Sequence, residues 1–335
     1  MKKSGVLPCP SRSSVSDSAD ADIDLRFYLR AVFHGMAASL PYTGPPAMTR
    51  RSLRRLPLVP RRVYSTARAK RKVRRDDSFR SNLRPDPQAP ELLLSPHFDD
   101  AVLGCWSLLA SDRQLTVVNV FAGIPAAGQA GVWEAVIGVR DSAERTRARM
   151  TEDAQSLALA GRMPVNLPLL DAQHRSQDKG HPDLQEIDRA LTSEVQSASR
   201  VYVPAGIGSH VDHLLTRRYG RMLLRTGMPV TLYADLPYCT FYGWPPWVDG
   251  SDAAPMRNVD GYWQFSLKQV PEMPALRSAR VIRLDAGAAA GKGEAVMCYE
   301  TSLNYGVRHL MSDPAFGGFE VSWELVGRAG VILQA

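Results

Sequence analysis

Glu91-Leu92-Leu93-Leu94-Ser95-Pro96-His97-Phe98-Asp99-Asp100-Ala101-Val102-Leu103-Gly104-Cys105 changes its hydrophobic period halfway along and carries its charged cluster at the change. Leu92 to Leu94 form a short continuous apolar run, the pattern of a strand buried on both faces. Pro96 cannot donate to a ladder, so the strand ends before it. From Ala101 the apolar residues Val102, Leu103, Trp106 and Leu109 recur at helical spacing, which puts Asp99 or Asp100 at the helix N-cap. His97, Asp99 and Asp100 therefore lie where a parallel strand hands over to a helix, and in open α/β sheets ligands bind at that end of the strands. On these residues alone two readings stay open. Either the acids only satisfy the free N–H groups and dipole of the helix start, or a divalent cation gives two adjacent carboxylates and an imidazole their reason to ionise together.

Downstream, Leu115 to Phe121 reads as a second strand, broken by Gly123-Ile124-Pro125. A helix is expected within Arg140 to Gly161, a third strand over Val165 to Leu170, a helix over Leu184 to Val195, a fourth strand over Val201 to Pro204 and a fifth over Val230 to Ala234. Alternating strands and helices predict an α/β fold, a Rossmann-like three-layer α/β/α sandwich around a mostly parallel sheet of order 3-2-1-4-5. Val281 to Leu284, a helix around Gly293 to Leu303 and Val331 to Leu333 are expected to complete the same domain, spanning 89–335.

The fourth strand runs into Ala205-Gly206-Ile207-Gly208-Ser209-His210-Val211-Asp212-His213 and then a helix-like stretch, so the first handover is repeated. With order 3-2-1-4-5, strands one and four are neighbours where the order reverses, and the two polar clusters face one crevice. His97, Asp100 and His213 would give two histidines and one carboxylate with open positions left over, which suits catalytic zinc better than a closed structural site. Asp99 is then the natural general base for an attacking water. His210 is left to steady an oxyanion or protonate a leaving amine, and Asp212 to orient an imidazole. The competing reading of His-x-x-His is a solvated helix start.

The net charge of +7 belongs to one end of the chain. Residues 1–90 hold 19 Lys/Arg against 7 Asp/Glu, whereas 91–335 hold 22 against 27. Arg50 to Arg75 alone has twelve basic residues, no acid and no apolar period, so 1–88 is read as a disordered basic extension. A polyanion-binding arm, or a presequence beginning at Met48, are its sharper alternatives. Cys9, Cys105, Cys239 and Cys298 are too far apart in sequence to specify a disulfide framework or a cysteine zinc site. No stretch approaches the ~20 apolar residues of a membrane span, and the expected place is the cytoplasm.

The pair Pro96-His97-Phe98-Asp99-Asp100 and His210-Val211-Asp212-His213 resembles the two signature motifs of the PIG-L/LmbE-like deacetylases. These are zinc enzymes of Rossmann-like fold that remove N-acetyl groups from amino sugars and related conjugates. Their motifs usually read His-Pro-Asp-Asp-Glu and His-Pro-Asp-His. Phe98, Ala101 and Val211 depart from that pattern, and every ligand position is kept. The resemblance implies a Zn2+ cofactor on His97, Asp100 and His213, with base catalysis by Asp99. Arg149 to Asp153 and Asp171 to Arg175 resemble segments that border the family's pocket. The expected activity is removal of an N-acetyl or related N-acyl group from an amino sugar or a sugar-containing secondary metabolite. The expected partner is that small molecule, with no specific nucleic acid; the alternative is a non-catalytic small-molecule or polyanion-binding protein on the same fold. Tyr233, Asp235, Tyr238, Phe241, Tyr242, Trp244 and Trp247 crowd together after the fifth strand. They serve either as ring-stacking surface or as a lid packed on the core.

Overall fold

The computed structural model describes residues 85–131, 134–135, 138–175, 182–252 and 258–327. Strand β1 (Glu91–Ser95) leads into helix α1 (Asp100–Leu109), β2 (Leu115–Asn119), α2 (Ser142–Ala158) and β3 (Pro164–Asn166). The short helices α3 (Leu184–Ala190) and α4 (Thr192–Gln196) precede β4 (Arg200–Pro204), α5 (Val211–Arg225) and β5 (Val230–Tyr233). Helices α6 (Pro246–Asp249) and α7 (Val259–Leu267) follow, then β6 (Arg280–Arg283), α8 (Ala286–Met297), α9 (Tyr305–Ser312), α10 (Pro314–Gly317) and β7 (Phe319–Glu324).

Among the described residues the sheet has seven strands in the order β3-β2-β1-β4-β5-β7-β6. Its first five strands are parallel in the order expected. Beyond β5 the sheet turns antiparallel through β7 and β6. β1 is hydrogen-bonded on both sides, to β2 and β4, which is why Leu92, Leu93 and Leu94 can all be buried. The chain leaves β1 toward β2 and β3, then returns to β4 on the other side, so the order reverses between β1 and β4.

Several expectations need correction. The second and third strands stop at Asn119 and Asn166, and beyond them Phe121 and Pro168 make only an isolated bridge, Pro168 having no N–H for a ladder. The helix expected over Leu184 to Val195 is two short ones, and that around Gly293 to Leu303 sits earlier, at Ala286–Met297. The closing strand is Phe319–Glu324, whereas Val331 to Leu333 lies outside the described residues. So does the basic extension as far as residue 84. Cys105, Cys239 and Cys298 are buried free thiols, Cys105 packing in α1 as a small core residue. Among the described residues no helix is long and apolar enough to cross a membrane.

The aromatic crowd after β5 divides. Trp244, Trp263 and Trp323 are buried in a chain of tilted and edge-on rings with Trp247 and Phe319. Each buried indole N–H donates to a backbone carbonyl, of Phe316, Cys239 and Leu276 respectively, so no polar atom is stranded. This half is core. Tyr238, Phe241, Tyr242 and Tyr262 stay at least partly exposed.

Candidate metal centre

The loop between β1 and α1 is built by local hydrogen bonds. The Ser95 hydroxyl donates to the His97 carbonyl and accepts from Ala101 N–H, and Asp100 Oδ2 accepts from His97 N–H at 2.9 Å. Asp99 is the N-cap of α1, but its side chain makes no capping bond, so its carboxylate is not spent on the helix. The second handover is tighter. Gly206 and Gly208 adopt φ of 74° and 94°, and Ser209, at φ 64°, bends the chain immediately before His210 in a conformation that a side chain disfavours. The Arg217 guanidinium donates to the Ala205 and Ser266 carbonyls and ties α5 to the end of β4.

All six residues expected at the site lie at this β1/β4 crevice. Asp100 Oδ2 stands 3.3 Å from His97 Nδ1 and 3.3 Å from His213 Nε2. Ligands held at 2.0–2.1 Å by a tetrahedral zinc are separated by roughly 3.3 Å, so both spacings fit edges of such a site. His213 Nε2 is buried and makes no hydrogen bond. The far nitrogen of each histidine faces a carboxylate: His97 Nε2 lies 3.2 Å from Asp212 Oδ2, and His213 Nδ1 lies 2.7 Å from Asp235 Oδ1. An imidazole whose other nitrogen is held by a carboxylate is the usual arrangement of a metal-binding histidine. The two sets of donor atoms that all fall within 4.8 Å of one another are His97, His210 and His213, and His97, Asp171 and Asp212; Asp100 belongs to neither, so His210 and Asp171 also stand within reach of a cation here. The residues present therefore fit a divalent cation.

Asp212 and Asp235 are clamped in turn. Asp212 accepts from Ala172 N–H and forms an ion pair with Arg175, joining the turn Ala172–His174 to α5. The carboxylate oxygens of Asp235 accept from Gly206 N–H at 3.0 Å and Ile207 N–H at 2.8 Å, holding the strained loop. Asp235 is a supporting residue that motif reading passed over. Its signal was its place just past β5, at the same sheet end as both clusters. Asp171, 3.8 Å from His97 Nε2, and Tyr238, whose ring centroid is 5.3 Å from that of His213, complete the surroundings.

The electrostatics suit a cation. Burial alone would lower the pKa of His213, but the Asp100 charge, with Asp235, lifts it to about 9. Burial opposes ionisation of Asp100, yet His213 and His97 hold it far below the usual carboxylate range. Asp99 is pushed up to about 6 by burial and then by the Asp100 charge, with Arg149 and His97 pulling the other way. Burial and the neighbouring His97 and His213 push His210 down to about 4, so it is neutral near pH 7. Its Nδ1 accepts from Asp212 N–H at 3.3 Å, which leaves the ring proton on Nε2 as a donor.

A mostly parallel α/β sheet with a buried histidine–carboxylate cluster at its switch point is the class that fold and site define. No family model matches the chain. It is 27% identical over 225 residues to a 2'-N-acetylparomamine deacetylase of Niallia circulans, covering 56% of this chain and 77% of that one. To the 2'-N-acetylparomamine deacetylase of Streptomyces fradiae it is 32% identical over 178 residues, 49% of this chain and 61% of the other. Its fold is similar to that of a teicoplanin deacetylase solved in a zinc-inhibited form, with a TM-score of 0.53, 22% identity and coverage of 72% of this chain and 99% of that one. The chain resembles the LmbE/PIG-L-like N-deacetylases.

Proposed function

We propose that the protein is a zinc-dependent amide hydrolase that removes an N-acetyl group from an amino sugar within a secondary metabolite. Its similarity to deacetylases of acetylated paromamine supports that substrate class. The observation that carries the reading is the shared approach of His97 Nδ1 and His213 Nε2 to Asp100 Oδ2, each ring backed by a carboxylate. His97, Asp100 and His213 would hold the ion. Bound there, zinc supplies a Lewis acid for the amide carbonyl and lowers the pKa of water.

The remaining chemistry falls to side chains of the chain. Asp99 takes the proton of the water as its oxygen forms a bond to the amide carbon. Its raised pKa of about 6 makes it a better base than an ordinary aspartate while leaving it ionised near pH 7. His210 directs its Nε2–H at the oxygen on which negative charge develops. As the C–N bond breaks, Asp99 returns its proton to the leaving nitrogen, and acetate and a free amine remain. Asp212 keeps His97 in orientation throughout.

The test is elemental analysis of the purified protein together with acetate release from N-acetylglucosamine, acetylated paromamine and N-acetylated glycopeptides. Stoichiometric zinc and acetate release from at least one of them are expected. Zinc-loaded protein that releases acetate from none would overturn the reading.

A further inference from the structure

The partly exposed half of the aromatic crowd forms a row leading away from the histidines. The Tyr238 ring lies against His210 and His213, with centroids 6.0 and 5.3 Å away. The Tyr262 hydroxyl donates to the Tyr238 carbonyl at 3.1 Å, which fixes α7 beside that loop. Tyr242 meets Tyr262 edge-on with centroids 5.1 Å apart, and Phe241 meets Tyr242 edge-on at 4.7 Å. Exposure grows along the row: Tyr238 and Tyr262 are half-buried, while Tyr242 is 43% exposed. Gly243, at φ 88°, turns the chain just after Tyr242 with open space at its Cβ position. Neither edge-on neighbour stacks flat on Tyr242, and at 43% exposure its ring offers surface on which a flat or pyranose ring can stack.

We propose that Tyr238, Tyr262 and Tyr242 form a subsite for the second ring of the substrate, the sugar or aryl group to which the N-acetylated sugar is attached. This rests on the deacetylase reading and adds the substrate's size and shape to it. An isolated N-acetylated monosaccharide fills only the end of the row next to His210 and His213. A ring-extended conjugate also covers Tyr242. The shared chemistry is an apolar ring face, and the two sources are an aromatic aglycone and a second pyranose.

The experiment compares N-acetylglucosamine, its phenyl β-glycoside and a disaccharide with the N-acetylated sugar at its non-reducing end, in wild type, Tyr242→Ala and Tyr242→Phe. Wild type is expected to favour at least one extended substrate in kcat/KM. Tyr242→Ala should cut that preference about 3- to 10-fold, the usual worth of one aromatic contact, through KM rather than kcat. Tyr242→Phe should restore it. A fold defect would instead lower all substrates together, and an unchanged preference in Tyr242→Ala would overturn the subsite. Loss of preference for the phenyl compound alone identifies an aryl source, and for the disaccharide alone a pyranose. Calorimetry with the free amines glucosamine and phenyl β-glucosaminide needs no turnover. Tighter binding of the phenyl compound, weakened by Tyr242→Ala, supports the subsite even if no acetate is released, in which case only the deacetylase reading fails. Equal binding of the two amines, with no preference for the disaccharide, sinks the subsite alone.

Discussion

Asp99 and Asp100 are chain neighbours of identical chemistry, yet the backbone gives them opposite surroundings. Asp100 turns toward His97 and His213 and accepts the His97 N–H, whereas Asp99 caps α1 without using its side chain. Asp100→Ala should therefore lose zinc and activity together. Asp99→Asn should keep near-stoichiometric zinc while kcat falls by roughly 10²–10⁴, the usual worth of a placed general base. Metal analysis beside turnover checks both, and zinc lost from Asp99→Asn but kept in Asp100→Ala would mean the two roles are exchanged. A second residue-scale expectation concerns His213. Its pKa in the metal-free protein is raised to about 9, so below that pH a proton competes with the metal, and zinc affinity should rise as pH climbs toward 9. The stability that this proton gives the metal-free protein is complete below the unfolded pKa of about 6.5 and is lost as pH rises through about 9. Near pH 7, zinc uptake should release about one proton from this group, read by calorimetry in two buffers of different ionisation enthalpy. Uptake with the same apparent enthalpy in both buffers would contradict the assignment.

At the scale of elements, the site exists because two strand-to-helix handovers lie side by side. Both were legible in the sequence, since each joins an apolar run to a helical period through a polar loop. What bonded to what across the crevice was less legible. Asp235 sits 22 residues from His213 with no motif around it, and only the parallel pairing of β4 with β5 brings it to Gly206, Ile207 and His213. Phe319–Glu324 was missed because it is antiparallel and inserts between β5 and β6, a long-range pairing that local periodicity does not carry. The aromatic crowd could not be divided into core and cleft by composition, because the same rings serve either use. Asp235→Asn should keep the fold but weaken zinc binding about 10- to 100-fold, as loss of a carboxylate behind a metal histidine does. Competition with a chelator measures it, and unchanged affinity would remove Asp235 from its supporting role. Gly206→Ala should be worse for the fold. Beyond about 1–2 kcal/mol for a side chain at this φ, the new Cβ would meet Leu214 Cδ2 at 2.8 Å and Arg217 Nη1 at 3.1 Å. A thermal midpoint equal to wild type would show that the loop relaxes freely.

Across the whole molecule, charge and chemistry are separated along the chain. The seven paired strands begin at Glu91 and end at Glu324, and every residue assigned to the site lies between them. This part of the chain is acidic, with 22 Lys/Arg against 27 Asp/Glu over 91–335, while the 19 Lys/Arg of 1–90 give the protein its net +7. A surplus of that sign acts at long range on polyanions and is screened at a Debye length of about 8 Å in physiological salt. The amide hydrolysis proposed above is placed on buried groups and gives that surplus no role. A protein beginning at Pro85 should therefore keep its zinc, kcat and thermal midpoint, yet lose retention on a heparin column because its net charge changes sign. Full-length and shortened proteins compared in turnover, calorimetry and a salt gradient on heparin give the answer. Equal retention on heparin would mean that the basic surplus does not govern polyanion contact. A shortened protein that unfolds, or whose kcat falls with zinc still bound, would mean that residues 1–84 pack on the catalytic domain, and the boundary drawn at β1 would then be wrong.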